Sequence, residues 1–168
     1  MALFGKSKIK ASKLCAEYSM FPTRQEVEEG WWPIIEEANI PVGGKSRVLT
    51  ELLHLELFAV DLAICAAFKS QTDVRDAMRD QIHLYAARDI PEILDDIPIR
   101  QQLYGEALAN HSFPDLPETY SVIKKFNEIS EIADDPVFLM GLTKAFISRV
   151  TITKDFFGEI QDLYRVVP

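Results

Sequence analysis

The chain reads as an all-α protein, and three observations predict it. Apolar residues recur at helical spacing in each long segment; no segment alternates apolar and polar residues over a useful length; and Gly, Pro, Asn and Asp cluster between the periodic stretches. The longest periodic stretch, residues 46–70, organises the rest. In it Leu49, Leu52, Leu53, Ala59, Val60 and Ala63 define an apolar face, and Glu56 falls within that face. Arg47, Glu51, His54 and Asp61 recur on the opposite side and are expected to face solvent. A carboxylate on a buried face needs a cation, either a metal ion or a neighbouring arginine, and the function turns on which.

At 168 residues, with 48% hydrophobic and 26% charged, the chain is expected to form one domain over residues 1–168 with a single sizeable core. Within it, residues 46–165 would form the bundle core and residues 1–13 a basic leader. A net charge of −8 argues against nucleic acid as a partner, because phosphate binding needs a concentration of Lys and Arg that the body of the chain lacks. Lys6, Lys8, Lys10 and Lys13 are the exception; without a strong apolar face they read as a solvated leader rather than a membrane anchor. Cys15 and Cys65 lie in apolar helical surroundings and make no disulfide framework. With neither a secretory signal nor a membrane span in the pattern, a cytoplasmic location is the expectation.

Taken in order, the first helix is expected from about Ile9 to Met20, with Leu14, Cys15 and Tyr18 inward and Pro22 ending it. Thr23 and Glu26 have capping-box spacing, so a second helix starts there; Gly30 and Pro33 predict a break around Trp31 and Trp32, two rings better suited to anchoring a core than to binding a ligand. Residues 41–46 form a turn, and Ser46 would cap the central helix. Gly43 and Gly44 before Lys45 and Ser46 do not make a phosphate loop, since the first glycine and a preceding strand are missing. Thr72 or Asp73 would cap the next helix, which runs to about Ile90. Pro91 opens a short helix and Pro98 another, followed by a loop with two prolines. An amphipathic helix over residues 118–133 has Val122, Ile123, Phe126, Ile129 and Ala133 as its stripe. Asp134, Asp135 and Pro136 begin the last long helix, with a break expected among the β-branched residues 150–153.

Machinery for nucleophilic catalysis is absent from the pattern: there is no G-x-S-x-G elbow and no Cys with a His partner, so whether the chain is an enzyme stays open. Metal chemistry is the alternative. Bundles that hold two metal ions use inward Glu residues and Glu-x-x-His pairs, because residues three apart share a helix face. Glu56 on the central helix and the Asp80-x-x-His83 pair on the next follow that logic.

The run from His54 through Glu56 to Leu62, and the run from Asp80 through His83 to Arg88, resemble the first two bundle helices of ferritin-like proteins of the rubrerythrin or di-iron carboxylate type. The resemblance covers about 45 residues by position on two helices. It implies an up-and-down four-helix bundle core with additional short helices at the N-terminus and in the connections. It also implies an iron or manganese site in which Glu56, Asp80 and His83 are ligands, with a role in oxidative chemistry. Glu106 could supply the third-helix ligand; after Pro98 no Glu-x-x-His follows, and the sole histidine there is His111, so the implied site is incomplete.

Two readings therefore stand side by side. In one, a ferritin-like protein binds iron or manganese through Glu56, Asp80, His83 and Glu106. In the other, a non-enzymatic helical module has lost that site, pairs Glu56 with an arginine such as Arg149, and serves a protein partner or a homo-oligomer. The direction of Glu56 discriminates between them.

Overall fold

The computed structural model describes residues 6–17, 23–36, 38, 40, 43–108 and 116–168. The all-α class holds, with one addition. Two short strands, β1 (Ser7–Lys10) and β2 (Tyr164–Val167), pair in parallel and bring the two ends of the described chain together. Neither strand shows the alternation that would have revealed it, since four residues are too few for a period of two to stand out. The expected first helix accordingly starts late, as α1 (Ala11–Glu17), with Leu14 and Cys15 buried; Tyr18 and Pro22 lie outside the described residues.

The capping box at the start of α2 (Arg24–Ile35) forms as the spacing predicts. Thr23 Oγ1 accepts from the Glu26 amide, and Glu26 Oε2 accepts from the Thr23 amide at 2.7 Å. The break expected at Gly30 and Pro33 does not occur. Pro33 stands near the C-terminal end of the helix and the missing amide costs one hydrogen bond, while buried Trp31 and Ile35 hold the last turns against the core. A Cβ at Gly30 would meet no atom within 4 Å. Gly30→Ala is therefore expected to raise stability by about 0.8–1 kcal/mol, measured as a higher urea midpoint at unchanged slope.

Gly43, at φ +82°, makes the turn into α3 (Lys45–Ala67), and Gly44 rather than Ser46 is the N-cap. Similarly, Gln71 rather than Thr72 or Asp73 precedes α4 (Thr72–Asp89), without a side-chain cap bond. A 3₁₀ helix (Pro91–Asp96) leads into α5 (Ile97–Ala107). The helix α6 (Leu116–Ser130) buries Val122, Ile123 and Phe126 and ends before Ala133, which is exposed; Glu131 turns the chain at φ 57°. The last helix, α7 (Pro136–Leu163), is capped by Asp135, whose Oδ1 accepts from the amides of Val137 and Phe138 at 2.8 and 2.9 Å. It runs unbroken through residues 150–153, because Val150 and Thr153 are buried against neighbours whose packing outweighs the modest propensity penalty of branched side chains.

The arrangement is centred on α3. It packs against α2, α4, α5, α6 and α7, most extensively against α7. Phe58 of α3 lies 5.4 Å from the Tyr104 ring of α5 and 6.3 Å from the Phe146 ring of α7, which ties the three helices together. Because helices cover it from several sides, the expected solvent face of α3 is largely missing: Glu51, His54 and Asp61 are 2%, 1% and 3% exposed, and of the four residues assigned to that face only Arg47, near its N-terminus, reaches water. No helix among the described residues is long and apolar enough to cross a membrane.

Candidate functional site

Between Val48 and Ala67, α3 carries no Lys or Arg, yet it holds three acids, Glu51, Glu56 and Asp61, at steps of five residues. Five residues advance a helix by about 7.5 Å and turn it by about 140°, so the three acids point to three different sides. Each side is covered by a different helix, and each covering helix supplies an arginine.

Glu51 faces α5. Arg100 Nε donates to its Oε2 at 2.8 Å, and the Tyr104 hydroxyl donates to its Oε1. Burial nevertheless dominates and pushes the Glu51 carboxyl above the usual range, against the opposing Tyr104 hydrogen bond and Arg100 charge. Tyr104, itself fully buried beside that acid, is raised well above an ordinary phenol.

Glu56 faces α7 and α2. Arg149 Nε donates to Oε1, and Trp31 Nε1 donates to Oε2 at 3.0 Å, so both carboxylate oxygens are engaged. This arrangement also explains Trp31: its ring fills the core at 7% exposure and its one polar atom meets the buried acid. Trp32 is half-buried at the edge of the core, with the Lys45 ammonium 4.4 Å from its ring centroid and that ammonium 2.8 Å from Glu28. Beside the Glu56 pair lies a cavity of about 270 Å³ lined by Val27, Gly30, Trp31, Ala145 and Arg149.

Asp61 faces α4. Its Oδ2 lies 2.8 Å from His83 Nε2 and 3.4 Å from Arg79 Nη2, while Oδ1 is buried without a hydrogen-bond partner among the described residues. His83 and Arg79 line a recess of about 310 Å³ with Asp76, Asp80 and Gln101. Imidazole, guanidinium and carboxylate there form one network, with the aspartate as the shared acceptor.

The four residues expected to ligate metal are thus in three places, with Asp80 and His83 sharing one recess. Glu56 takes one hydrogen bond on each carboxylate oxygen, from Arg149 and from Trp31. His83 turns one ring nitrogen to Asp61. Asp80 is exposed at the rim of the recess, and Glu106 is exposed and accepts from Gln102 Nε2 at 2.8 Å on its own helix. Among the described residues, no group of three or more His, Cys, Asp or Glu stands close enough to hold a metal ion. Glu56 and Glu106 are thus not brought to the recess that Asp80 and His83 line. His111 lies outside the described residues.

Burial pushes the Cys15 thiol up to about 11 and raises Cys65 as well, which disfavours the thiolate of both. His54 is the remaining oddity. It is buried beside the Glu51 site with no hydrogen-bond partner on either ring nitrogen among the described residues, and burial pushes it down to about 4.

The roles of Glu51, Asp61 and His54 escape a reading that equates polarity with exposure. A usable signal was present. Acids five apart cannot share one face, and a water-facing helix side of that length ordinarily carries lysine. Searches against protein-family models, curated proteins and solved structures found no match.

Proposed function

We propose that the chain is a non-enzymatic helical interaction module, in which the acids of α3 hold the surrounding helices in place and the outer surface serves a partner. The observation that carries this reading is the engagement of Glu56 by Arg149 and Trp31, which gives its charge a guanidinium partner and each oxygen a protein donor. The surface supplies a place to dock. Between the end of α2 and the start of α7 lies a groove of about 760 Å³ walled by Pro33, Ile34, Ala38, Val137 and Phe138, with Asp134 and Asp135 at its rim. Val137 is 82% exposed there, at a position where burial would stabilise a complex by about 1.5–3 kcal/mol. Apolar walls and an acidic rim suit a partner segment with an apolar side chain flanked by Lys or Arg.

Gly141, which also lines the groove, is exposed, and a Cβ there would meet no atom within 4 Å. A photo-crosslinking phenylalanine analogue at Gly141 is expected to capture a discrete partner in cells. The same analogue at exposed Gly158, farther along α7, is expected to capture none, and Val137→Asp is expected to abolish the Gly141 product. Identical labelling from both positions, or none from Gly141, would overturn the reading. The size of the product distinguishes a second copy from another protein.

The competing reading, a ferritin-like up-and-down bundle binding iron or manganese, draws on Asp80 and His83 lining one recess. It requires Glu56 to exchange Arg149 for an ion. It predicts metal retained on protein from iron- and manganese-supplemented medium and lost on His83→Ala; metal-free protein under those conditions would dismiss it.

A further inference from the structure

The sheet formed by β1 and β2 has only these two strands among the described residues. Its inner side is apolar, with Ile9 and Val166 paired in register at 6% and 4% exposure. Its outer side is cationic. Lys8 is the register partner of Arg165, Lys10 follows two residues on, and all three are exposed. The flanking Lys6 and Lys13 have acidic partners, Asp162 and Glu17, whereas Lys8, Lys10 and Arg165 have none among the described residues. A chain of net charge −8 therefore gathers three uncompensated cations on one small sheet.

Two physical features of this sheet point to the same kind of partner. The first is the backbone. Parallel pairs are weaker than antiparallel ones and a two-stranded sheet is marginal, so the outer edge of β1, whose outward amides and carbonyls meet no other strand among the described residues, gains from a third. The second is the charge. Lysines on an edge repel a like strand, which sets β1 of a second copy against this position, and they attract carboxylates at alternate positions of an incoming strand. A phosphate polymer or an anionic bilayer would use the charge and leave the edge unused.

We propose that the outer edge of β1 receives an acidic, extended segment of a partner protein as a third strand, held by main-chain hydrogen bonds and selected by Lys8 and Lys10, with Arg165 adding to the local field. This surface is separate from the groove at Val137, so either can fail without the other.

The test is fluorescence anisotropy of the whole chain with a labelled peptide of alternating Glu and Val. Three comparisons accompany it: the same peptide N-methylated at alternate amides, an otherwise identical peptide with Lys for Glu, and a pair of non-peptide probes, vesicles containing phosphatidylserine and single-stranded oligothymidine. The acidic peptide is expected to bind, and the Lys8→Glu/Lys10→Glu double variant to weaken it about tenfold or more. Methylation removes the edge hydrogen bonds at unchanged charge and is expected to weaken binding at least as much, with no dependence on how the double variant folds. Equal affinity for the methylated peptide would reduce the contact to charge attraction and overturn the proposal. So would binding of the Lys peptide, tighter binding of vesicles or oligothymidine, or no binding of the acidic peptide.

Discussion

Arg149→Ala is expected to destabilise the fold by about 3–5 kcal/mol, because it leaves the Glu56 carboxylate buried without a cation. The Glu56 side chain is 2% exposed, and with the guanidinium gone Trp31 Nε1 is the sole hydrogen-bond donor left among the contacts described. The same substitution on a surface pair such as Lys13 with Glu17 is expected to cost less than about 1 kcal/mol. Urea unfolding at pH 7 gives both numbers. The double variant Glu56→Leu/Arg149→Met separates a structural pair from a functional one. Replacing a buried pair by apolar side chains of similar size stabilises by about 1–4 kcal/mol in known cases, while the stranded Trp31 N–H costs about 1–3 kcal/mol. The double variant is therefore expected to fall close to the parent chain. A cost below about 1 kcal/mol for Arg149→Ala alone would mean that Glu56 is not held as a buried ion.

This pair was legible in the sequence as one of two alternatives, and the reason it was not decided there is physical. Glu56 could be placed on an apolar stripe from periodicity, but the partner comes from a helix 93 residues away, and no local pattern states which long-range cation arrives. The capping box at Thr23 and the cap at Asp135 are readable because they are contacts within one helical turn. The caps of α3 and α4 were misplaced by one or two residues, since Ser46, Thr72 and Asp73 all have suitable side chains and the backbone stops instead at Gly44 and Gln71. The larger error concerns α3. Periodicity reports which side of a helix is most apolar, and it does not report how many neighbours enclose it, so it assigns Glu51, His54 and Asp61 to solvent although α5 and α4 cover them. The parallel pairing of β1 with β2 joins the two ends of the described chain, a contact of the highest sequence separation and thus the one furthest from any local signal.

Acidification is expected to produce the second large effect, through His54. Burial holds this imidazole in its neutral form, with Arg100 lowering it further and Asp96 opposing, so that the group titrates at about 4 in the folded chain against 6.5 ordinarily. The sign follows from where the proton is preferred. Above about pH 6.5 both folded and unfolded chains carry a neutral His54 and it contributes no pH dependence; below that the unfolded chain takes up the proton first. Stability is therefore lost as pH falls from about 6.5 to about 4, by about 3 kcal/mol in all, and the loss levels off below the folded value. Glu51 acts in the opposite direction. Its carboxyl is raised by burial, so it favours the folded state at low pH and loses that contribution as pH rises from the ordinary carboxylate range through its folded value. Raw stability against pH mixes the two. The difference between the parent chain and His54→Leu isolates the imidazole, since Glu51, Tyr104 and Arg100 stay in place. That difference is expected to be flat above about pH 6.5 and to move in favour of His54→Leu by about 3 kcal/mol on going to pH 4. At neutral pH, His54→Leu is also expected to gain about 1 kcal/mol or more, because both ring nitrogens are buried without partners. A pH-independent difference would mean that His54 is already solvated in the folded chain. The helix at the centre of the fold would then have a route to water beside Glu51, and the raised carboxyl there would lose the burial that raises it.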